Sequence, residues 1–294
     1  DENDEKDEKI DLDEDVLIWR VGREGARGEE ALRVHPWLYH RLLPFQRTSL
    51  RWLWELHCQG VGGILGDEMG LGKTVQLSAF LWSLFRSGRR ELRLPVLLVC
   101  PATLLSHWQG ELGEWAPHLR VVVLHSSGEG VGRRGIGVGG VIRVAQRKRG
   151  SVVLTTYSGL KANIGVLERE QWSYAVLDEG HRIRNPAIAV ARAAKRIQAD
   201  HCIILTGTVV QNSLRELWAL LDFAVPGRLG SKASFEAHFV RPIVAGGWKG
   251  ASPTAVAVAF ERAIALRRLV AGFLLRRRKK EVATQLPSKE DKVL

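Results

Sequence analysis

Short, continuous apolar runs recur along this chain, and stretches of helical character separate them. The runs are Gly63-Ile-Leu-Gly66, Val96-Leu-Leu-Val-Cys100, Val121-Val-Val-Leu124, Val152-Val-Leu154, Ala175-Val-Leu177 and Cys202-Ile-Ile-Leu205. Strands that are apolar on both sides suit a sheet covered on both faces. Their alternation with helices predicts an α/β fold with a mostly parallel sheet flanked by helices. After the first run, Thr74 to Ser87 carries Leu77, Phe80, Leu81 and Leu84 on one helical face and stops at Gly88. Upstream, Leu50, Leu53, Trp54 and Leu56 lie at helical spacing, so a helix with one buried face is expected there, with Trp52 and Trp54 as packing residues.

A chain of 294 residues, 45% of them hydrophobic, can bury a substantial core. Its formal charge of +11 is unevenly spread, because residues 1 to 15 hold ten acids against Lys6 and Lys9. Without that segment's net −8 the remainder carries +19, which favours partners rich in phosphate. Cys58, Cys100 and Cys202 form no Cys-x-x-Cys pair, so neither a zinc ribbon nor a disulfide framework is expected. No apolar run approaches the roughly 20 residues that span a bilayer, and the acidic start is unlike the basic opening of a signal peptide. An intracellular protein without a membrane partner is expected.

The domain reading has three parts. Residues 1–30 are an acidic tail without order, 31–225 are the α/β lobe, and 226–294 are a helical extension. The lobe is interrupted over 126–150 by a surface excursion with eight glycines and the cluster Arg147-Lys148-Arg149, a candidate DNA contact. In the extension, helical pattern runs from Phe260 to Leu275.

The strongest local signal is Asp67-Glu-Met-Gly-Leu-Gly-Lys-Thr74, between a strand and an amphipathic helix. A phosphate-binding loop needs that setting, because backbone N–H groups and a helix N-terminus then point at the ligand. Asp67, Glu68, Met69, Gly70, Leu71 and Gly72 would form the cradle. Lys73 would reach the β- and γ-phosphates, and Thr74 would offer its hydroxyl to Mg²⁺. Asp67 stands where such loops carry their first glycine, which is a departure. Asp178-Glu-Gly-His181 ends another apolar run, and ligands of open α/β sheets bind beyond the carboxyl ends of strands. Asp178 suits Mg²⁺, and Glu179 can orient or deprotonate an attacking water.

These segments, with Leu205-Thr-Gly-Thr208, resemble motifs I, II and III of superfamily 2 ATPases, in the wording of the Swi/Snf branch. Further marks are Pro101-Ala-Thr-Leu-Leu-Ser-His-Trp108, Arg184-Asn185, Val209-Val-Gln-Asn212, Leu217-Trp218, Leu274-Leu-Arg-Arg277, Leu286-Pro287 and Lys289. Within the branch, Arg51 to Cys58, the glycine of Asp-Glu-Gly-His, Ile183-Arg-Asn-Pro186 and Ala251-Ser-Pro253 are similar to the Cockayne syndrome group B subfamily. Most of the branch has alanine where Gly180 stands and proline where Val209 stands; proline fixes φ and has no N–H, so Val209 could loosen that loop.

The resemblance implies a RecA-like first lobe of a two-lobe ATPase. It implies that Gln46 reads adenine and that His181 links the nucleotide site to Thr206, Gly207 and Thr208. It implies too that Pro101, Thr103, Ser106, Thr155, Thr156 and Tyr157 lie along double-stranded DNA, on its backbone and without base specificity. Lys73, Asp178 and Glu179 are then the catalytic residues, with ATP and Mg²⁺ as cofactors. RNA polymerase II or nucleosomes are implied as partners, transcription-coupled repair or chromatin remodelling as the process, and the nucleus as the location. The basic run Arg276 to Lys280 reads as structural or DNA-facing. Because the arginine-bearing motifs of a second lobe are not among these residues, this chain alone is expected to be nearly inactive. Two alternatives stand beside this reading: an RNA-dependent helicase of the same superfamily, and an ATP-binding interaction module that does not hydrolyse.

Overall fold

The computed structural model of this chain describes residues 16–21, 30–87, 94–124, 137–208 and 213–286. It opens with β1 (Val16–Val21) and β2 (Glu30–Val34), an antiparallel pair. The stretch 1–30, read from sequence as a tail throughout, therefore contributes a strand, while its acidic residues 1–15 lie outside the described residues.

The lobe follows as α1 (Pro36–Arg41), α2 (Pro44–Cys58), β3 (Gly63–Leu65), α3 (Lys73–Arg86), β4 (Val96–Cys100), α4 (Leu105–Trp115) and β5 (Arg120–Leu124). It continues through α5 (Val138–Gln146), β6 (Ser151–Thr156), α6 (Tyr157–Leu167), β7 (Gln171–Asp178), α7 (Ala189–Ala194), β8 (Gln198–Leu205) and α8 (Leu214–Ala224). The last elements are α9 (Lys232–Phe235), α10 (Arg241–Gly246), α11 (Pro253–Val270) and β9 (Leu274–Leu275).

Seven strands form one sheet in the order β5-β6-β4-β7-β8-β3-β9, and every neighbouring pair is parallel. Its strands bury residues alternately on two faces, as the period of two requires. Val96, Leu98 and Cys100 join a core with α2, α3 and α4, whereas Leu97 and Val99 join a second core with α5, α6 and α8. Burying such side chains stabilises by about 1.5–3 kcal/mol each, so both faces must be covered and the RecA-like α/β prediction is met.

Two local readings change. The excursion at 126–150 contains α5, which buries Val141, Ile142 and Ala145 in the second core. Their separations of 1, 3 and 4 residues are helical, but the surrounding glycines masked the pattern. Of its basic cluster, Arg149 donates to the Phe85 carbonyl at 3.2 Å and stacks on the Phe85 ring. In the C-terminal stretch, α11 starts at Pro253, capped by the Ser252 hydroxyl, and stops at Val270. Leu274 and Leu275 then pair with Ile64 and Leu65, so this part of the helical extension rejoins the sheet.

Burial pushes the Cys100 and Cys202 thiols up to about 12, which leaves them inert at neutral pH. Among the described residues, no helix is long and apolar enough to cross a membrane.

Candidate active site

Because all seven strands run the same way, the chain leaves every one of them on the same edge of the sheet. Leu65, Leu205 and Asp178 lie in one row across β3, β8 and β7. Strands are spaced by about 4.8 Å, so the phosphate loop and the acidic pair emerge at one level about 10 Å apart. The third motif sits between them: a Cβ on Gly207 would come within 2.8 Å of Met69 Cγ.

The loop turns into α3 through Gly72, in the left-handed region at φ 73°. This conformation favours glycine, and a Cβ there would also press on the Gln46 amide at 2.6 Å, at the end of a side chain that would have to move. Gln46 itself is buried; its Oε1 accepts from the Leu43 N–H at 3.0 Å and its Nε2 donates to the Leu71 carbonyl at 3.4 Å. It holds α2 against the loop.

Lys73 donates to the carbonyls of Asp67, at 2.8 Å, and Glu68, at 3.4 Å. Burial lowers its pKa, and the carboxylates of Glu179, Asp67 and Asp178 oppose that shift. Thr74 is the next residue of α3 and is half-buried. Asp178 is buried, and burial raises its carboxyl above the usual range. The Trp108 indole, at 2.8 Å from Oδ2, opposes that rise, as do the Glu179 N–H, at 2.9 Å from Oδ1, and the charge of Lys73; the Glu179 carboxylate adds to it.

Glu179 has φ 52°, the one positive value among the described non-glycine residues. Holding such a residue costs on the order of 1–3 kcal/mol and is most often met at functional sites. Its Oε2 is buried without a hydrogen bond, although His181 Nδ1 lies 3.1 Å away. Thr206 turns to Thr208, whose N–H it accepts at 3.1 Å, so the structure brings His181 to Glu179 and leaves the two threonines with each other. Gly180 is explained by Ile204, whose Cγ2 a Cβ would approach to 2.4 Å. Val209 lies outside the described residues.

The segments assigned to DNA are split by burial. Thr103 and Ser106 are exposed, whereas Pro101, Thr155, Thr156 and Tyr157 are buried. Thr155 donates to the Leu124 carbonyl, Thr156 caps α6 by accepting from Gly159 N–H, and Tyr157 donates to the Asp178 carbonyl at 2.7 Å. Beside them Ser158, Lys161 and Arg182 line an open cleft of about 330 Å³.

Sequence reasoning missed one feature of the loop. Asp67, fully buried, pairs with Arg277, which reaches it from beyond β9. Arg277 Nε and backbone N–H both donate to Oδ1 at 3.0 Å, its second amine reaches Oδ2, and the guanidinium also contacts the Phe45 carbonyl and Ser49. Glu68 completes the clamp by accepting from Lys279 N–H at 2.8 Å. The signal was the acid itself: a buried carboxylate in a glycine's place demands a cation, and the basic run 276–280 held one. Arg277→Ala should cost about 3–5 kcal/mol, because it strands a buried charge. A urea midpoint unchanged from wild type would contradict that; Arg277→Lys, which keeps the charge but not the fork, should fall between the two.

A glycine loop at the head of a helix, facing an acidic pair two strands away in a parallel sheet, defines a P-loop ATPase lobe of the RecA-like kind. The chain belongs to the SNF2-related domain family, which matches residues 45–294. It is 42% identical over 293 residues to the DNA excision repair protein CSB of Oryza sativa subsp. japonica, covering 90% of this chain and 24% of that protein. It is 40% identical over 300 residues to the human DNA excision repair protein ERCC-6, covering 99% of this chain and 19% of that protein. Among solved structures, the SWI2/SNF2 ATPase core of Sulfolobus solfataricus in complex with dsDNA matches with a TM-score of 0.68 and 32% identity, over 84% of this chain and 47% of that one. The chain thus spans about a fifth to a quarter of these curated relatives and about half of that ATPase core.

Proposed function

We propose that this chain is the ATP-binding lobe of a DNA-dependent ATPase which, within a longer protein, turns ATP hydrolysis into movement along duplex DNA. The observation that carries this reading is that the phosphate loop, with Lys73 at the head of α3, and the Asp178–Glu179 pair leave the sheet at one level on one edge. Lys73 would leave the loop carbonyls for the phosphates, Thr74 and Asp178 would hold Mg²⁺, and Glu179 would take the proton of the attacking water. Gln46, against Gly72, is the residue assigned to adenine.

The donors fit Mg²⁺. Among the described residues, no cluster of three His, Cys, Asp or Glu side chains could hold a metal unaided. Mg²⁺ instead binds through one or two carboxylates together with substrate phosphates, and Asp178 with Thr74 supplies that kind of partial site. When bound, it would neutralise charge developing on the phosphates.

Duplex DNA is the proposed track, supported by the +19 of the chain beyond residue 15 and by the dsDNA complex of the Sulfolobus relative. The repair names of the relatives support a nuclear role in transcription-coupled repair or remodelling, next to RNA polymerase II or nucleosomes. The test is fluorescent ATP binding by this chain, which Lys73→Ala should abolish, and DNA binding by anisotropy. DNA affinity should fall with salt by roughly 0.9 log unit per log unit for each phosphate neutralised. A flat salt response, a strong sequence preference, or tighter binding to RNA than to duplex DNA would count against a DNA track.

A further inference from the structure

Asp178 is gripped from both faces of the sheet by residues of the two segments assigned to DNA. Trp108 belongs to the core on one face and Tyr157 to the core on the other. The buried Trp108 indole donates to Asp178 Oδ2 at 2.8 Å, while the Tyr157 hydroxyl donates to the Asp178 carbonyl at 2.7 Å. With Glu179 N–H on Oδ1, both carboxylate oxygens and the main chain of this residue are fixed by protein donors.

Each donor sits beside surface that a phosphodiester can reach. Trp108 lies in the first turn of α4, two residues after the exposed Ser106 and five after the exposed Thr103. Tyr157 opens α6, flanked by Thr156 and the exposed Ser158, whose hydroxyls are 2.9 Å apart, on the cleft with Lys161 and Arg182. These contacts join segments 70 and 21 residues apart, so neither is a by-product of local chain geometry.

We propose that Trp108 and Tyr157 are positioning residues that couple duplex DNA to the metal-binding carboxylate, an inference that rests on the function proposed above. Phosphodiester groups bound at Thr103 and Ser106, or at Ser158, Lys161 and Arg182, pull on α4 or α6. Because the indole and the phenol are tied to Asp178, that displacement reaches the carboxylate and, through the adjoining N–H, the main chain of Glu179. Coupling between two sites is a reciprocal change in affinity, and it can be read without turnover.

The experiment is a titration of this chain with a fluorescent ATP analogue and Mg²⁺, with and without a saturating 20-base-pair duplex. In the wild type, DNA should change the Mg·nucleotide affinity by about fivefold or more, the lower end of ordinary allosteric coupling. Trp108→Phe, which keeps an aromatic ring but no donor, and Tyr157→Phe, which loses one hydroxyl, should each reduce that change to below about twofold. Affinity for the nucleotide without Mg²⁺ should stay near wild type in both variants, and affinity for the duplex alone should do so in Trp108→Phe. The half-saturating Mg²⁺ concentration should rise in Trp108→Phe. Wild-type coupling in both variants, or no coupling in the wild type, overturns the proposal. A loss of structure would instead appear as weaker binding of both ligands alone, and Tyr157→Phe, the milder change, decides if Trp108→Phe is destabilised. Retained nucleotide binding by Lys73→Ala would sink the nucleotide site itself, a different failure.

Discussion

Joining residues 1–294 to the rest of an SNF2-type ATPase core is expected to raise DNA-stimulated phosphate release by about 10³- to 10⁵-fold, the worth of an arginine finger in phosphoryl transfer. In the proposed reading the phosphate loop, Asp178 and Glu179 would supply a cradle, a metal ligand and a base, but transfer also needs cations aimed at the γ-phosphate as charge develops there. Arg277, the arginine most intimate with the loop, is committed to Asp67, Phe45 and Ser49. The chain also spans only 47% of the matching Sulfolobus core. By itself it should bind Mg·ATP and release phosphate barely above background, even with saturating DNA. Phosphate release would be measured for both forms, with Lys73→Ala as the control for contaminating ATPase. Robust DNA-stimulated release by the 294-residue chain, lost in that control, would show that a complete catalytic site lies within it.

In the longer protein, Glu179→Gln should cut turnover by about 10²- to 10⁴-fold, the usual contribution of a general base. The amide keeps the size and polarity of the side chain but cannot accept the water's proton. Mg·ATP affinity should hardly change, since Lys73, Thr74 and Asp178 remain. The setting of Glu179 argues for chemistry over packing: its backbone is left-handed, and its Oε2 lies 3.1 Å from His181 Nδ1 at the edge where the phosphate loop emerges. A turnover rate within twofold of wild type would remove Glu179 from the proposed mechanism.

Much of the sheet and most of the loop were legible because they obey short-range rules. Apolar runs such as Val96 to Cys100 announce strands, and Gly72-Lys73-Thr74 at the head of an apolar-faced helix announces a phosphate cradle. What escaped depends on residues distant in sequence. Nothing local to Leu274 and Leu275 distinguishes two strand residues from the tail of a helix; pairing with Ile64 and Leu65 decides it. The same holds for the Arg277–Asp67 pair, 210 residues apart, and for Trp108, whose indole could have packed against any core. The α5 helix was hidden for a different reason, because a glycine-rich composition has low helix propensity and burial of Val141, Ile142 and Ala145 overrides it. Among the residues assigned to DNA, the family pattern supplied the segments, but Thr155, Thr156 and Tyr157 are buried and their hydroxyls are engaged by Leu124, Gly159 and Asp178.

The attachment of β9 has a mechanical meaning. Ile64 and Gly66 N–H groups bond to the carbonyls of Phe273 and Leu275, and the ion pair and the Glu68 contacts lie directly beyond, all within a few residues of the phosphate loop. A tug on the chain past Lys279, directed along the strand, loads these bonds side by side instead of peeling them one at a time. Shear of that kind meets far greater resistance than unzipping, so tension would pass into the backbone of the loop before the strand let go. The loop is thus built as an anchor point as well as a candidate phosphate cradle.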